Sequence, residues 1–211
     1  RRASEVIQRV RSLLRRGEFE MTPVDLQAVI GDVANLVGSD ALIRNITITL
    51  DMAPQPILVR GDRVQLQQVV LNLLVNAMEA IGQSAERAVY VSCRRTERGD
   101  ARVIVHDSGV GLATGAEARV FDPFYTTKPN GMGMGLSIAQ SIVEVHGGSI
   151  GLRNAGTRGT IVELTLPLLG PAVSQGPLSV LATDSPAAHQ QPSETWRPPA
   201  TTKGRPPLTT T

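Results

Sequence analysis

Aromatic residues make up only 3% of this 211-residue chain, so any core must be built from aliphatic side chains. The hydrophobic share of 41% is enough for such a core in one good-sized domain. A single cysteine, Cys93, excludes an internal disulfide and a cysteine-based zinc cluster, and its strand-like surroundings predict a buried thiol. No apolar run approaches the roughly eighteen residues of a membrane span, and no signal peptide is evident.

Positive charge is concentrated at one end of the chain, although the formal net charge is only +2. Six arginines fall within the first sixteen residues. A basic amphipathic segment of this kind is compatible with nucleic acid or a membrane surface, but a solvated helix face is the favoured interpretation. No aromatic residues alternate with these arginines to stack on bases. We therefore expect no nucleic-acid partner.

The periodicity of the apolar residues predicts an α/β (α+β) fold. Helices are expected at residues 3–16, from an N-cap at Thr22 to about Arg44, from a cap at Asp62 to Ile81, and up to a glycine stop after His146. Strands are expected at residues 45–50, 56–60, 89–96, 102–107, 149–154 and 160–166. Together they predict a two-layer sandwich, in which a mixed, mostly antiparallel sheet is covered on one face by three helices.

The composition divides the chain into three parts. Residues 170–211 are rich in Pro, Ser and Thr, with eight of the fourteen prolines, and are expected to form a disordered tail in which Trp196 is the one candidate anchor for a partner. Residues 18–169 are expected to form the folded domain. Residues 1–17 are expected to form the end of a preceding helix.

A stripe of polar side chains runs along the predicted helix that ends at Ile81. The spacing between successive members of the set Gln68, Asn72, Asn76 and Glu79 is close to one helical turn. These side chains therefore share one face of the helix. Such a stripe on an otherwise apolar helix must point at water or at a ligand. The amide oxygen of Asn76 is a candidate magnesium ligand. An ordinary amphipathic surface helix is the alternative interpretation.

A short acidic and glycine-containing motif follows the strand predicted at residues 102–107. The carboxylate of Asp107 can accept a hydrogen bond from a donor such as an exocyclic amine. Gly109 and Gly111 allow the backbone to pass close to a flat base. A turn without any ligand is the alternative, since such turns are frequent.

Two further motifs, at residues 120–128 and 131–138, precede the last predicted helix. Phe121 opens a run that is rich in aromatic residues, which suggests a hinged loop, and Lys128 ends it as a point charge able to reach a terminal phosphate. Gly131, Gly133 and Gly135 then expose backbone N–H groups at a helix N-terminus, which is a ready anion site. A loop pinned by its own aromatic cluster is the alternative for the first motif.

The four motifs, in this order, resemble the N, G1, F and G2 boxes of the catalytic ATP-binding domain of sensor histidine kinases. This family shares a superfamily with gyrase B and the mismatch-repair ATPases. The resemblance covers residues 23–168. Residues 126–128 and the Gly-Met-Gly-Met-Gly run look closest to the oxygen- and dicarboxylate-sensing branch. Residues 1–14 resemble the end of the second dimerisation helix in this family.

The resemblance implies ATP as substrate and magnesium (Mg2+) as cofactor. Asn76 would coordinate the metal, and Asn72, Asn76 and Lys128 would form the catalytic set. Asp107 would bind the adenine amine, and Gly109 and Gly111 would shape the base pocket. Residues 121–128 would form a mobile lid over ATP, and Gly131, Gly133 and Gly135 would clasp the phosphates. The full set of expected nucleotide-binding residues is Asn72, Asn76, Glu79, Asp107, Gly109, Gly111, Phe121, Thr126, Thr127, Lys128, Gly131, Gly133, Gly135 and Leu136.

The resemblance also implies transfer of the γ-phosphoryl group to a histidine on a dimerisation helix that is not in this chain. His106 and His146 are expected to be structural, and neither these nor His189 has the helical acidic context of the acceptor. The expected partners are ATP or ADP, the dimerisation and phosphoacceptor hairpin of a homodimeric parent, and the receiver domain of a response regulator. The chain does not begin with Met and is expected to be a cytoplasmic piece of a longer protein, whose membrane anchoring is left open. The alternatives are an ATP-binding regulatory module and a protein-serine kinase of the same superfamily.

Overall fold

A computed structural model of the chain describes residues 20–82, 84–113, 115–128, 131–156 and 158–169. These ranges fall within the domain expected at residues 18–169. The helix expected at residues 1–17 and the tail expected at 170–211, including His189 and Trp196, lie outside the described residues.

The described chain forms a five-stranded sheet and a small two-stranded ribbon. Strands β2 (Thr47–Met52), β4 (Ala88–Arg95), β5 (Asp100–Asp107), β7 (Thr160–Pro167) and β6 (Ser149–Asn154) follow one another in that spatial order. Strands β2 and β4 are parallel, and the other neighbours are antiparallel. The ribbon pairs β1 (Thr22–Asp25) with β3 (Leu58–Gly61). The predicted mixed, mostly antiparallel sheet is confirmed.

Three helices cover one face of the sheet, as predicted. Helix α1 (Leu26–Ile43) contacts β2, α2 (Arg63–Ile81) contacts β4 and β5, and α3 (Gly135–Val145) contacts β6 and β7. Side chains alternate along the strands, so Val89, Val91 and Cys93 of β4 point into the aliphatic core below the helices. Cys93 is fully buried, as predicted, and burial raises the pKa of its thiol to about 12.

The start predicted at Thr22 for the helix that ends near Arg44 is wrong. Thr22 and Pro23 belong to β1, because their backbone pairs with β3 through Thr22 opposite Gly61. The helix begins at Leu26, and its N-cap is Asp25, whose carboxylate accepts from the Gln27 N–H at 3.0 Å. Long-range pairing of the ribbon therefore overrides the local cap signal at Thr22.

Helix α1 has the length and the mean hydropathy, 1.3, of a helix able to cross a membrane, contrary to the sequence-based expectation. Its apolar composition has a simpler cause, because one side of the helix packs into the core of the sandwich. The buried side chains of α1 are Leu26, Val29, Ile30, Val33, Val37 and Ala41.

A histidine joins the ends of α2 and α3. His146 is buried, and its Nδ1 donates to the Ile142 carbonyl at 2.7 Å while its Nε2 accepts from the Asp62 N–H at 3.0 Å. Asp62 itself caps α2 by accepting from Val64 and Gln65. Both ring nitrogens of His146 are therefore engaged in holding the helices, which agrees with a structural role.

Candidate functional site

A cavity of about 660 Å³ opens between α2, the sheet, the start of α3 and the segment that leads from the end of β5 to α3. One part of it is apolar and lies against the sheet. There Val105, Val162 and Leu152 stand side by side on β5, β7 and β6. The other part lies between α2 and the N-terminus of α3, and it is lined by polar side chains and glycines. Residues from all four sequence motifs therefore meet in one cavity.

Asp107 is a buried carboxylate, 4% exposed, at the end of β5 and in the wall of this cavity. Its Oδ1 accepts from the backbone N–H of Gly109 at 2.8 Å and of Thr160 at 3.3 Å. This leaves Oδ2 for a donor inside the cavity. Burial raises the pKa of the Asp107 carboxyl, while the two backbone donors and the charge of Lys128 act in the opposite direction.

Glycine is required around Asp107 because backbones approach one another closely there. A Cβ on Gly109 would lie 2.5 Å from the Ala80 carbonyl oxygen at the end of α2. A Cβ on Gly159, where φ is +83°, would lie 2.0 Å from the Asp107 carbonyl oxygen. Gly159 also donates to the Gly109 carbonyl at 2.9 Å. The β6–β7 turn and the end of α2 thus clamp the Asp107 loop from two sides.

Three residues of the polar stripe of α2 line this cavity, namely Asn72, Asn76 and Glu79. Asn72 is 5% exposed, and its amide donates to the Gly135 carbonyl at 3.0 Å, which ties α2 to the first turn of α3. Gln68 donates to Asn72 Oδ1 at 3.0 Å and supports it from behind, outside the cavity wall. Helix α3 begins without a side-chain cap at Met134, so the first N–H groups of α3 remain available to an anion.

Two oxygen atoms on successive turns of α2 converge on one cation. The Lys128 ammonium donates to Asn76 Oδ1 at 3.2 Å and forms an ion pair with the Glu79 carboxylate. Lys128 and Glu79 are 38% and 39% exposed, so this pair adds little to stability. The sequence predicts that Lys128 reaches a terminal phosphate, whereas in this structure its ammonium lies beside the Asn76 oxygen and pairs with Glu79 on the helix.

The residues present fit a magnesium ion. The Lys128 ammonium stands in for a cation between an amide oxygen and a carboxylate, the hard oxygen donors that Mg2+ prefers. No group of three or more His, Cys, Asp or Glu side chains able to hold a metal occurs among the described residues. A metal at Asn76 would therefore take its other ligands from water and phosphate oxygens, which is the usual manner of Mg2+.

The loop that carries the aromatic residues runs against the glycine-rich segment. Phe124 N–H donates to the Gly133 carbonyl at 2.9 Å, and a Cβ on Gly133 would lie 2.5 Å from the Phe124 backbone. Tyr125 lies under the Arg119 guanidinium at 4.7 Å. The alternative of a packed aromatic cluster does not hold for Phe124, which is 74% exposed with φ at +69°.

Most of the predicted site residues line the cavity, with two exceptions. Gly109 lies behind the wall and acts through packing, and Phe121 is half-buried outside the lining. The predicted residues that line the cavity are Asn72, Asn76, Glu79, Asp107, Gly111, Thr126, Thr127, Lys128, Gly131, Gly133, Gly135 and Leu136.

Sequence motifs missed the apolar and strand-borne part of the cavity. Thr160, on β7, donates its backbone N–H to Asp107, and Leu152 and Val162 form the floor beside it. Their alternation on β6 and β7 placed them on the helix-covered face, which was the only available signal. Tyr125, Met132 and Met134 also line the cavity and carried no separate signal.

Residues 61–170 match the family described as histidine kinase-, DNA gyrase B-, and HSP90-like ATPase. The chain is 34% identical over 169 residues to the sensor protein TdiS of Thauera aromatica, covering 79% of this chain and 31% of TdiS. It is 37% identical over 166 residues to the sensor protein FixL of Bradyrhizobium diazoefficiens, covering 79% of this chain and 33% of FixL. The chain thus spans about a third of the length of these curated relatives.

Among solved structures, the catalytic domain of histidine kinase ThkA is similar to the chain with a TM-score of 0.63 and 31% identity. That similarity covers 72% of this chain and 96% of the ThkA domain. ThkA in complex with the response regulator protein TrrA is similar with a TM-score of 0.64 and 27% identity, covering 79% of this chain and 48% of that chain.

The raised pKa of Asp107 generates a prediction about stability. The folded chain holds this proton more tightly than the unfolded chain, so the stabilisation is complete below the ordinary pKa of 3.8 and is lost as the pH rises through the raised value. Asp107→Asn keeps the oxygen that accepts from Gly109 and Thr160 but removes the buried charge. We expect the variant to unfold at a higher urea concentration than the wild type at about pH 7, with the difference shrinking towards about pH 4.

Asp100→Asn, at the other end of β5, is the matched control, because Asp100 is outside the cavity. A wild-type chain that is more stable than Asp107→Asn at about pH 7 would contradict this account of Asp107.

Proposed function

The chain belongs to the histidine kinase-, DNA gyrase B- and HSP90-like ATPase family, and we propose that it is the ATP-binding catalytic domain of a sensor histidine kinase. In that reaction an imidazole nitrogen of a histidine on the parent's dimerisation helix forms a bond to the γ-phosphorus, and the bond from that phosphorus to the ADP oxygen breaks. The observation that carries the proposal is the buried Asp107 carboxylate in the same cavity as the uncapped N-terminus of α3.

The apolar part of the cavity suits a purine base. Leu152, Val162 and Val105 offer a flat apolar surface, and Asp107 Oδ2, which is not the oxygen that accepts from Gly109 and Thr160, would accept from an exocyclic amine. A buried carboxylate in apolar surroundings is costly unless a donor reaches it, and the adenine amine is such a donor. Gly111, with φ at +77°, lets the backbone turn away beside the base.

The polar part of the cavity suits the phosphates. Gly131, Gly133 and Gly135 lead into the N-terminus of α3, where free N–H groups and the helix dipole favour negative charge. Asn72 fixes that N-terminus by its hydrogen bond to the Gly135 carbonyl. Phosphoryl transfer depends mostly on positioning and charge neutralisation, so no strong base is needed in this cavity.

Asn76, with Glu79 beside it, is the proposed magnesium position. A bound magnesium ion would neutralise charge on the phosphate oxygens. Lys128 must leave Asn76 and Glu79 when the metal arrives, and the weak, half-exposed ion pair makes this release inexpensive. The freed ammonium is then able to reach the terminal phosphate as a point charge. Thr126 and Thr127, on the same loop, are proposed to close over the phosphates.

The parent protein supplies the remaining parts of the proposed reaction. Its dimerisation hairpin would present the histidine, and a response regulator would receive the phosphoryl group, as the ThkA complex with TrrA suggests by similarity. A cytoplasmic location of this domain follows from the supply of ATP. The helix proposed at residues 1–17 would link the domain to the hairpin, and residues 170–211 would form a tail.

Nucleotide binding should stabilise the chain against heat. ADP with magnesium at a hundred times its dissociation constant should add about 2.7 kcal/mol, a rise in midpoint of roughly 5–10 °C for a domain of this size. Asp107→Asn should abolish the rise. The amide oxygen would accept from Gly109 and Thr160, so the NH2 group would face the adenine amine, and two donors cannot form a hydrogen bond with each other. Differential scanning fluorimetry measures both. Asp100→Asn should keep the full rise, and an unchanged rise in Asp107→Asn would refute the proposed base site.

Lys128→Met should change the affinity for ATP more than the affinity for ADP. Because the ammonium is proposed to contact the terminal phosphate, we expect the variant to lose about tenfold in affinity for a non-hydrolysable ATP analogue and little for ADP. Lys128→Arg keeps the charge and should retain most of the preference for the triphosphate. Isothermal titration calorimetry gives the two dissociation constants. An equal loss for both nucleotides would contradict the proposed role of Lys128.

A further inference from the structure

A side chain outside the four motifs holds the loop that follows Asp107. Asn154, the last residue of β6, reaches across to Leu112, which is 42 positions away in sequence. Its Oδ1 accepts from the Leu112 N–H at 2.7 Å, and its Nδ2 donates to the Leu112 carbonyl at 3.3 Å. One amide side chain thus satisfies both backbone groups of one loop residue.

The orientation of this amide is fixed by its partners. The Leu112 N–H needs an acceptor and the Leu112 carbonyl needs a donor, and only an amide with Oδ1 and Nδ2 placed in this way provides both. A carboxylate at residue 154 would keep the first bond but set two acceptors against each other at the second. The site is therefore specific for asparagine rather than for any polar residue.

Among the described residues beyond Ser108, three anchors hold the loop that leads from β5 to the segment at residues 115–128. Gly109 is tied to Gly159, and Val110 donates to the Ala80 carbonyl at 3.2 Å. The Asn154 pair at Leu112 is the last of the three along the chain. Beyond it, the chain enters the segment that leads to the short helix Ala116–Ala118.

Asn154 also sets how closely the loop lies against the β6–β7 hairpin. A Cβ on Gly111 would lie 2.8 Å from Asn154 Oδ1, so the amide is in direct contact with the backbone at Gly111. Gly111 and Leu112 both line the cavity, whereas Asn154 does not. The amide therefore acts on the cavity through the loop and not by touching its contents.

We propose that Asn154 is a positioning residue, which fixes Gly111 and Leu112 as a preformed wall of the base pocket through the paired hydrogen bonds of its amide. This inference rests on the proposed function, because it assigns the base to the part of the cavity beside Asp107. Without the amide, the loop is free beyond Val110 and the wall must be ordered each time a nucleotide binds. The cost of that ordering appears in nucleotide affinity.

The test compares Asn154→Ala and Asn154→Asp with the wild-type chain at a temperature at which all are folded. ADP affinity with magnesium is measured by calorimetry, and amide exchange at Leu112 by NMR. We expect Asn154→Ala to weaken ADP binding about tenfold, and the ADP affinity of Asn154→Asp to lie between those of Asn154→Ala and the wild type. The amide of Leu112 should exchange faster in each variant, and fastest in the variant that binds ADP most weakly. Ser149→Ala, which removes the 2.8 Å hydroxyl contact with Thr165 elsewhere on the hairpin, should leave ADP affinity unchanged.

A merely structural role would lower the melting temperature of Asn154→Ala while leaving its ADP affinity within twofold of the wild type, and this outcome would overturn the proposal. An amide of Leu112 that exchanges no faster in Asn154→Ala than in the wild type would also overturn it, because the loop would then not depend on the Asn154 amide. A wild-type chain that does not bind ADP would refute the proposed function, and the inference with it, before any variant is compared.

Discussion

The site depends on one costly arrangement, a carboxylate buried at the end of a central strand. Asp107 is 4% exposed and is held by the N–H groups of Gly109 and Thr160. Burial still raises the pKa of Asp107, so these two donors do not fully offset the loss of water. A donor inside the cavity would complete the set. This is the physical reason for assigning the base of a nucleotide to this part of the cavity.

Three contacts hold the chain around that carboxylate, two of them between backbone segments and the third through an amide side chain. Gly109 lies against the end of α2, Gly159 against the end of β5, and Asn154 grips the loop at Leu112. On the other side, Asn72 joins α2 to α3 and so fixes the part of the cavity proposed for the phosphates relative to the part proposed for the base. The cavity is preformed by these joints, while the exposed Lys128–Glu79 pair is the part that is easily moved.

Most residues of this site could be predicted from the sequence, but the contacts that bring them together could not. The polar stripe of α2 was readable because helical spacing places Asn72, Asn76 and Glu79 on one face. Leu152, Val162 and Asn154 were not readable, because their roles come from strand pairing between distant segments. The misplaced start of α1 has the same origin, since the pairing of β1 with β3 competes with a good local cap at Thr22. Motifs can be predicted from local residue patterns, whereas strand pairing between distant segments decides which other residues lie beside them in the fold.

A crystal structure of the chain with ADP and magnesium tests the central claim most directly. The account predicts the adenine amine about 3 Å from Asp107 Oδ2, the diphosphate at the N-terminus of α3, and the metal at Asn76 with Lys128 released from Glu79. A nucleotide bound with its base away from Asp107, or with Lys128 still on Asn76 and Glu79 beside a bound metal, would contradict it.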